Sequence, residues 1–226
     1  MKRLLILDGY VDEPANFGVP PYVSPHARYI AGAAKAADPA TEVHYLTIDE
    51  WRRGSPKRKW LAESDLLVMV AGALVPGKYL RGTPVSWREA QEICADFGGE
   101  KVIAGASALY GFGRGGGLPP AGRNEMDRVF TYRARLHADA LVHDVLTGAV
   151  HQGRHGIGIN RKRSLEEWAD WSVRGAFIVR EHPDHPQPLI AEIDTYHGCV
   201  RYVNGGCAFC MEPKEGKPLY LSLIHI

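Results

Sequence analysis

The sequence predicts an α/β protein built on a doubly wound parallel sheet of the Rossmann or flavodoxin-like kind. Three observations predict it. Short apolar runs alternate with helical patterns in units of roughly 20–35 residues, the rhythm of strands joined by crossover helices. The strand-like runs end in small or acidic residues, Asp8-Gly9, Ala71-Gly72 and Gly105-Ala106-Ser107. Two Ser-x-x-Glu patterns, at Ser86 and Ser164, carry the capping-box spacing of helix starts.

The elements follow in order. Arg3 to Tyr10 is a short apolar run and reads as a buried first strand. Pro14, Pro20 and Pro21 then mark a loop. Ser24 to Ala37 reads as a helix, with Tyr29, Ile30, Ala33, Ala34 and Ala37 on one face. Asp38-Pro39 stops it. Val43 to Ile48 is the second strand; Asp49 is positioned to cap a helical stretch that Gly54 and Pro56 interrupt. Leu66 to Val70 is the third strand, and a helix opens at Ser86 and runs to about Phe97. Gly98-Gly99 ends it, and Val102 to Ala106 is the fourth strand. In such sheets ligands bind beyond the carboxyl ends of the strands.

The second half is less regular. Tyr110 to Gly122 is glycine-rich. Its Gly113-Arg114-Gly115-Gly116-Gly117 run lacks the Lys-Ser/Thr of a phosphate loop and reads as surface loop. Ala140 to Leu146 has strand character, and 151–162 is a basic connection. A helix runs from Ser164 to about Val173, and Ala176 to Arg180 reads as a strand. The polar, proline-punctuated stretch from Glu181 to Pro188 is the expected domain boundary.

Composition bounds the function. The chain is 45% hydrophobic and 23% charged, enough to build a core without disulfide or metal. A formal net charge of +1 argues against a bulk nucleic-acid binder and gives no pull toward an acidic membrane. No apolar run approaches the ~20 residues of a membrane span. The start, Met1 to Asp8, meets an acidic residue after four apolar ones, too short for a signal-peptide core. A cytoplasmic protein with neither nucleic acid nor membrane as partner is expected.

Three of the four cysteines crowd together near the end of the chain. Leu189 to Thr195 alternates apolar and polar residues as a strand does, and a glycine-rich loop follows it. The cysteines are Cys199, Cys207 and Cys210, spaced Cys-x7-Cys-x2-Cys. Gly205-Gly206 allows the backbone to fold back so that three thiolates converge on one centre. Crowded cysteines in a cytosolic-type chain point to metal before disulfide. Two metal readings stand. His197 with the three cysteines would close a tetrahedral structural zinc site beside a non-catalytic α/β binding module. Alternatively, three thiolates leave one iron of a four-iron, four-sulfur cluster open.

The other candidates read as structure. Cys94 lies between Ile93 and Ala95 on a helix and reads as a small buried residue. His182 and His185 read as linker histidines, and Lys57-Arg58-Lys59 and Arg161-Lys162-Arg163 as solvated charge. Asp8, Asp12 and Glu13 close a strand into a turn, and the five tryptophans read as packing residues.

The cysteine loop resembles the radical S-adenosylmethionine (SAM) superfamily, in which a three-cysteine loop follows the first barrel strand and an aromatic residue precedes the last cysteine. Here that aromatic is Phe209. The stretch Glu192-Ile193-Asp194-Thr195-Tyr196-His197-Gly198-Cys199, followed by Gly205-Gly206-Cys207-Ala208-Phe209-Cys210, is similar to a group of archaeal members. That group lengthens the common Cys-x3-Cys-x2-Cys spacing and places a cobalamin-binding-like doubly wound domain before the barrel. Asp8-Gly9-Tyr10-Val11-Asp12-Glu13-Pro14 is similar to the same group.

The resemblance implies a specific chemistry. Cys199, Cys207 and Cys210 would ligate a [4Fe-4S] cluster, and SAM would take the fourth iron. Phe209 would pack beside the cluster or the adenine. Reductive cleavage of SAM, with electrons from a donor such as ferredoxin or flavodoxin, would release a 5′-deoxyadenosyl radical to act on a small-molecule or unknown substrate. Cobalamin is not expected, because the chain holds no Asp-x-His-x-x-Gly motif; His26, His44, His137 and His143 lack that context. The expected organisation is a doubly wound domain over 1–150, a helical connection over 151–188, and the first strand and cluster loop of a truncated (β/α) partial barrel over 189–220. A barrel needs well over a hundred further residues. Leu221-Ser222-Leu223-Ile224-His225-Ile226 matches the in-frame translation of a transposase adapter and is expected to be a non-biological tail on an inactive fragment.

Overall fold

The structure, a computed structural model, describes residues 2–10, 22–72, 83–114, 118–150, 158–159, 161–191, 196–197 and 220–221. Six parallel strands form one sheet in the order β3-β1-β4-β5-β6-β7. They are β1 (Arg3–Asp8), β3 (Glu42–Thr47), β4 (Leu66–Val70), β5 (Glu100–Ala104), β6 (Tyr132–Ala134) and β7 (Gly158–Ile159). A short β2 (Tyr22–Val23) lies outside this sheet. The chain steps from β1 out to the edge strand β3, then returns across β1 to β4. The boundary between β1 and β4 is therefore the topological switch point, where open α/β sheets bind ligands.

Strand alternation sorts the core into two layers. Leu4 and Ile6 of β1 join Val68, Val70, Val102 and Ala104 on one face. Leu5 and Leu7 join Leu67, Met69 and Ile103 on the other. Because both faces are covered, the strands read as continuous apolar runs. The first face is covered by α1 (Pro25–Ala37) and α7 (Ala138–Thr147). The second is covered by α3 (Trp60–Glu63), α4 (Trp87–Ala95) and α6 (Met126–Val129). Two short helices, α2 (Ile48–Arg52) and α5 (Ala106–Tyr110), follow the carboxyl ends of β3 and β5.

Local chemistry sets the helix ends. Ser24 caps α1, accepting from the His26 N–H, and Pro25 opens the first turn. Both sequence-read capping boxes are formed. Ser86 and Glu89 cap α4, and Ser164 and Glu167 cap α8 (Leu165–Arg174). A third box, Thr47 with Glu50, starts α2, so the cap is Thr47 rather than Asp49.

The chain from α8 onward packs against the doubly wound core. Trp168, Trp171 and Ile178 are buried. A Cβ on Gly32 of α1 would lie 1.8 Å from the Trp171 carbonyl oxygen, and one on Gly175 would lie 1.8 Å from that of Arg28. Two glycines thus let α1 and the end of α8 touch through their backbones.

The sheet and its winding agree with the expected class; two local expectations do not hold, and two strands were not anticipated. Residues 140–146 form helix α7 and not a strand. Ala140-Leu141-Val142 is an apolar run too short to fix its period, and Gly148 in the left-handed region (φ +75°) ends the helix. Residues 176–180 belong to a 3-10 turn, Gly175–Glu181, that extends α8 along α1. Finally, β6 and β7 were illegible because they are only three and two residues long, and β6 carries the charged Arg133.

Candidate metal centre

Cys199, Cys207, Cys210 and Phe209 lie outside the described residues. The described residues nearest to them in the chain form three short strands. β8 (Ile190–Ala191) pairs in parallel with β2, Tyr22 opposite Ile190 and Val23 opposite Ala191. β2 runs directly into the cap of α1. A crossover helix begins at the carboxyl edge of a parallel sheet, so β8 is moored on the ligand side of this one. Next, β9 (Tyr196–His197) pairs antiparallel with β10 (Tyr220–Leu221), His197 opposite Tyr220. His197 and Tyr220 are the described residues that flank segment 198–219, which holds Cys199, Cys207 and Cys210.

The carboxyl edge itself is dense with hydrogen bonds. Asp8, 2% exposed at the end of β1, accepts from the Tyr45 hydroxyl at 2.6 Å and from the Tyr10 N–H at 3.0 Å. Burial, reinforced by the Asp8 carboxylate, holds the Tyr45 phenol well above its ordinary pKa. Tyr10 has φ +63°, an uncommon conformation for an aromatic residue. Its hydroxyl donates to Asp49 at 2.9 Å, and burial together with Asp49 raises its pKa too.

Arg52 extends this network. It donates to Asp49, to both carboxylate oxygens of Glu89 at 2.7 and 3.0 Å, and to the Thr83 and Pro84 carbonyls. All five guanidinium donors are engaged in one fork. Segments 11–21 and 73–82 lie outside the described residues. Of the described residues that border them, Tyr10 and Thr83 belong to this single network.

The remaining candidates occupy structural positions. Cys94 is a free, buried thiol, pushed up to about 12 by desolvation. His182 is buried, its pKa lowered chiefly by desolvation; its Nδ1 accepts from the Asp184 N–H, while His185 is exposed. Lys57 pairs with Glu50 at 3.2 Å, and Arg58 lies over Trp51. Arg161 pairs with Asp144 and Glu167. Arg163 is not solvated charge: it is 9% exposed, ion-paired with buried Asp139, and stacked between Tyr29 and Trp168 at 4.6 and 4.7 Å. Among the described residues, no group of three His, Cys, Asp or Glu side chains is placed to hold a metal. Among them too, no helix is long and apolar enough to cross a membrane.

Sequence reasoning missed Arg52, Tyr45 and Arg163. Their partners Glu89, Asp8 and Asp139 lie 37, 37 and 24 positions away, and no local pattern announces such pairs. The one usable signal was Asp8 itself, an acidic residue closing an otherwise apolar strand.

No family model matches the chain. It is similar to an uncharacterized protein of Methanocaldococcus jannaschii, 38% identical over 217 residues that make up 94% of this chain and 38% of that protein. It is also similar to an uncharacterized protein of Archaeoglobus fulgidus, 36% identical over 214 residues, 93% of this chain and 34% of that protein. The chain spans little more than a third of the length of these relatives.

Proposed function

We propose that this chain is part of a radical SAM iron–sulfur enzyme whose cluster is held by Cys199, Cys207 and Cys210. The observation that carries the reading is the thiolate triplet on a glycine-bearing loop, with Phe209 before its last cysteine. Three soft thiolate donors suit an iron–sulfur cluster and leave one iron for a small-molecule ligand. When bound, such a cluster would supply the electron for reductive cleavage of SAM to a 5′-deoxyadenosyl radical. The protein's own task is to hold the three thiolates together and to exclude water and side reactions.

Three further observations support the reading. The domain before the cysteines is doubly wound, as in the archaeal group it resembles. β8, which precedes the cysteines in the sequence, pairs with β2 on the ligand side of the sheet. Both relatives come from archaea and are much longer, leaving room for a (β/α) partial barrel that completes the SAM site. Electrons would come from a ferredoxin or flavodoxin in the cytoplasm.

The alternative is a structural zinc site in a non-catalytic module. One observation favours it: His197, two residues before Cys199 in the sequence, offers an imidazole that would complete a closed set with the three thiolates.

Anaerobic reconstitution with iron and sulfide decides between them. The iron–sulfur reading expects a broad visible absorption that bleaches on reduction, lost in Cys199→Ala, Cys207→Ala and Cys210→Ala and kept in Cys94→Ala. Stoichiometric zinc without that absorption, in protein purified without oxygen, would overturn it.

A further inference from the structure

We infer that the floor of the switch-point crevice, at the ends of β1 and β4, is filled by the domain's own chain, so that no nucleotide-type ligand inserts between these strand ends. Open doubly wound sheets in general admit ligands at this place. A ligand entering at the β1/β4 boundary needs free backbone donors there, or a gap between the strand ends.

Neither is present among the described residues. The Gly9 N–H donates to the Val70 carbonyl at 2.8 Å, and the Gly9 carbonyl accepts from the Val85 N–H at 3.0 Å. The Tyr10 N–H donates to Asp8, and the Tyr10 carbonyl accepts from the Gly72 N–H at 3.0 Å. The Ala71 N–H donates to Ala104, and its carbonyl accepts from the Ser107 N–H at 3.1 Å. The Gly72 carbonyl accepts from the Ser107 hydroxyl at 2.9 Å. Every backbone donor and acceptor of Gly9, Tyr10, Ala71 and Gly72 is thus spent within the chain.

The space is taken as well. A Cβ on Gly9 would lie 2.4 Å from the Val85 Cγ1 and 2.9 Å from the Val70 carbonyl oxygen. Gly9 therefore makes room for Val85, which fills the floor from the second face of the sheet. A glycine at a strand end often lets a ligand approach the backbone; here it admits the chain itself. An inserted phosphate, or the nucleotide tail of cobalamin, would have to break hydrogen bonds and expel Val85.

Hydrogen exchange on the full chain, without and with hydroxocobalamin, FMN or AMP, tests this. The amides of Gly9, Tyr10, Gly72, Val85 and Ser107 should be protected with no ligand present. Added probes should change their exchange less than about twofold, with no binding tighter than roughly 100 µM. Unprotected amides, or a tenfold slowing by any one probe, would overturn the closed floor. Iron loading of the cysteines plays no part in this measurement, so the closed floor and the cluster reading fail separately.

Discussion

Tyr45 on β3 donates its phenolic hydrogen to Asp8 on β1 at 2.6 Å, and both residues are buried. The bond joins the edge strand to the strand at the centre of the switch point, at the residue where the apolar run of β1 ends. It gives a buried carboxylate a strong donor and gives a buried phenol an acceptor.

Tyr45→Phe should therefore lower stability by about 1–3 kcal/mol, because Asp8 keeps its burial and loses a donor. The pH dependence has a definite sign. Burial and Asp8 raise the Tyr45 pKa in the folded state, so its contribution is complete below the ordinary tyrosine value of about 10. It is lost as pH rises beyond that, because the unfolded state releases the proton first. Urea denaturation of wild type between neutral and strongly alkaline pH should show this loss, and Tyr45→Phe should flatten it. Equal alkaline slopes in the two proteins would remove Tyr45 as the cause.

The contact between α1 and α8 makes a steric prediction. Gly32→Ala places a methyl where the Trp171 carbonyl already sits, and backbone cannot yield as a side-chain tip can. The cost should be about 3 kcal/mol. Gly98 faces open space, so Gly98→Ala should change stability by no more than about 1 kcal/mol, in the stabilising direction. Thermal unfolding of the pair reads the difference directly.

The buried Arg163–Asp139 pair should respond asymmetrically. Asp139→Ala strands a guanidinium that remains packed between Tyr29 and Trp168, at a cost of about 3–5 kcal/mol. Replacing both partners, as Arg163→Met with Asp139→Ala, should recover much of that loss, since no charge then stays buried. A double-mutant cycle by chemical denaturation measures the coupling; additive losses would mean that the pair does not act as a unit.

Cys94 separates packing from reactivity. With its thiol pushed up to about 12 by burial, it should resist alkylation in the folded chain and react only on unfolding. Mass spectrometry after a pulse of iodoacetamide checks this. Fast labelling of Cys94 under native conditions would show that the α4 face opens.

The first half of the sheet was legible because each strand there is five or six residues long with a stretch of apolar residues and is bounded by a turn or a capping box. Leu66 to Val70 needed no partner to be recognised. Residues 140–146 were misread for the converse reason: a short apolar run suits a buried strand and a buried helix equally, and packing on α1 decided for the helix. The sheet extends through Tyr132–Ala134 and Gly158–Ile159 because neighbouring strands supply hydrogen bonds, not because those residues favour extension. The cysteine triplet is visible in the sequence by residue type and spacing alone, and it lies outside the described residues.

Residue order alone specified the alternation of strands and helices in the first half of the chain and both Ser-x-x-Glu caps, which depend on chemistry within a few neighbouring positions. Tertiary structure decided that α8 belongs to the core, that Val85 occupies the place Gly9 leaves empty, and that Arg52, Tyr45 and Arg163 are buried partners. It also decided that β8 returns to the carboxyl edge beside β2. Each of these joins residues far apart in the chain. Such contacts form only when burial of the two apolar layers has already brought the elements together, and no local pattern encodes them.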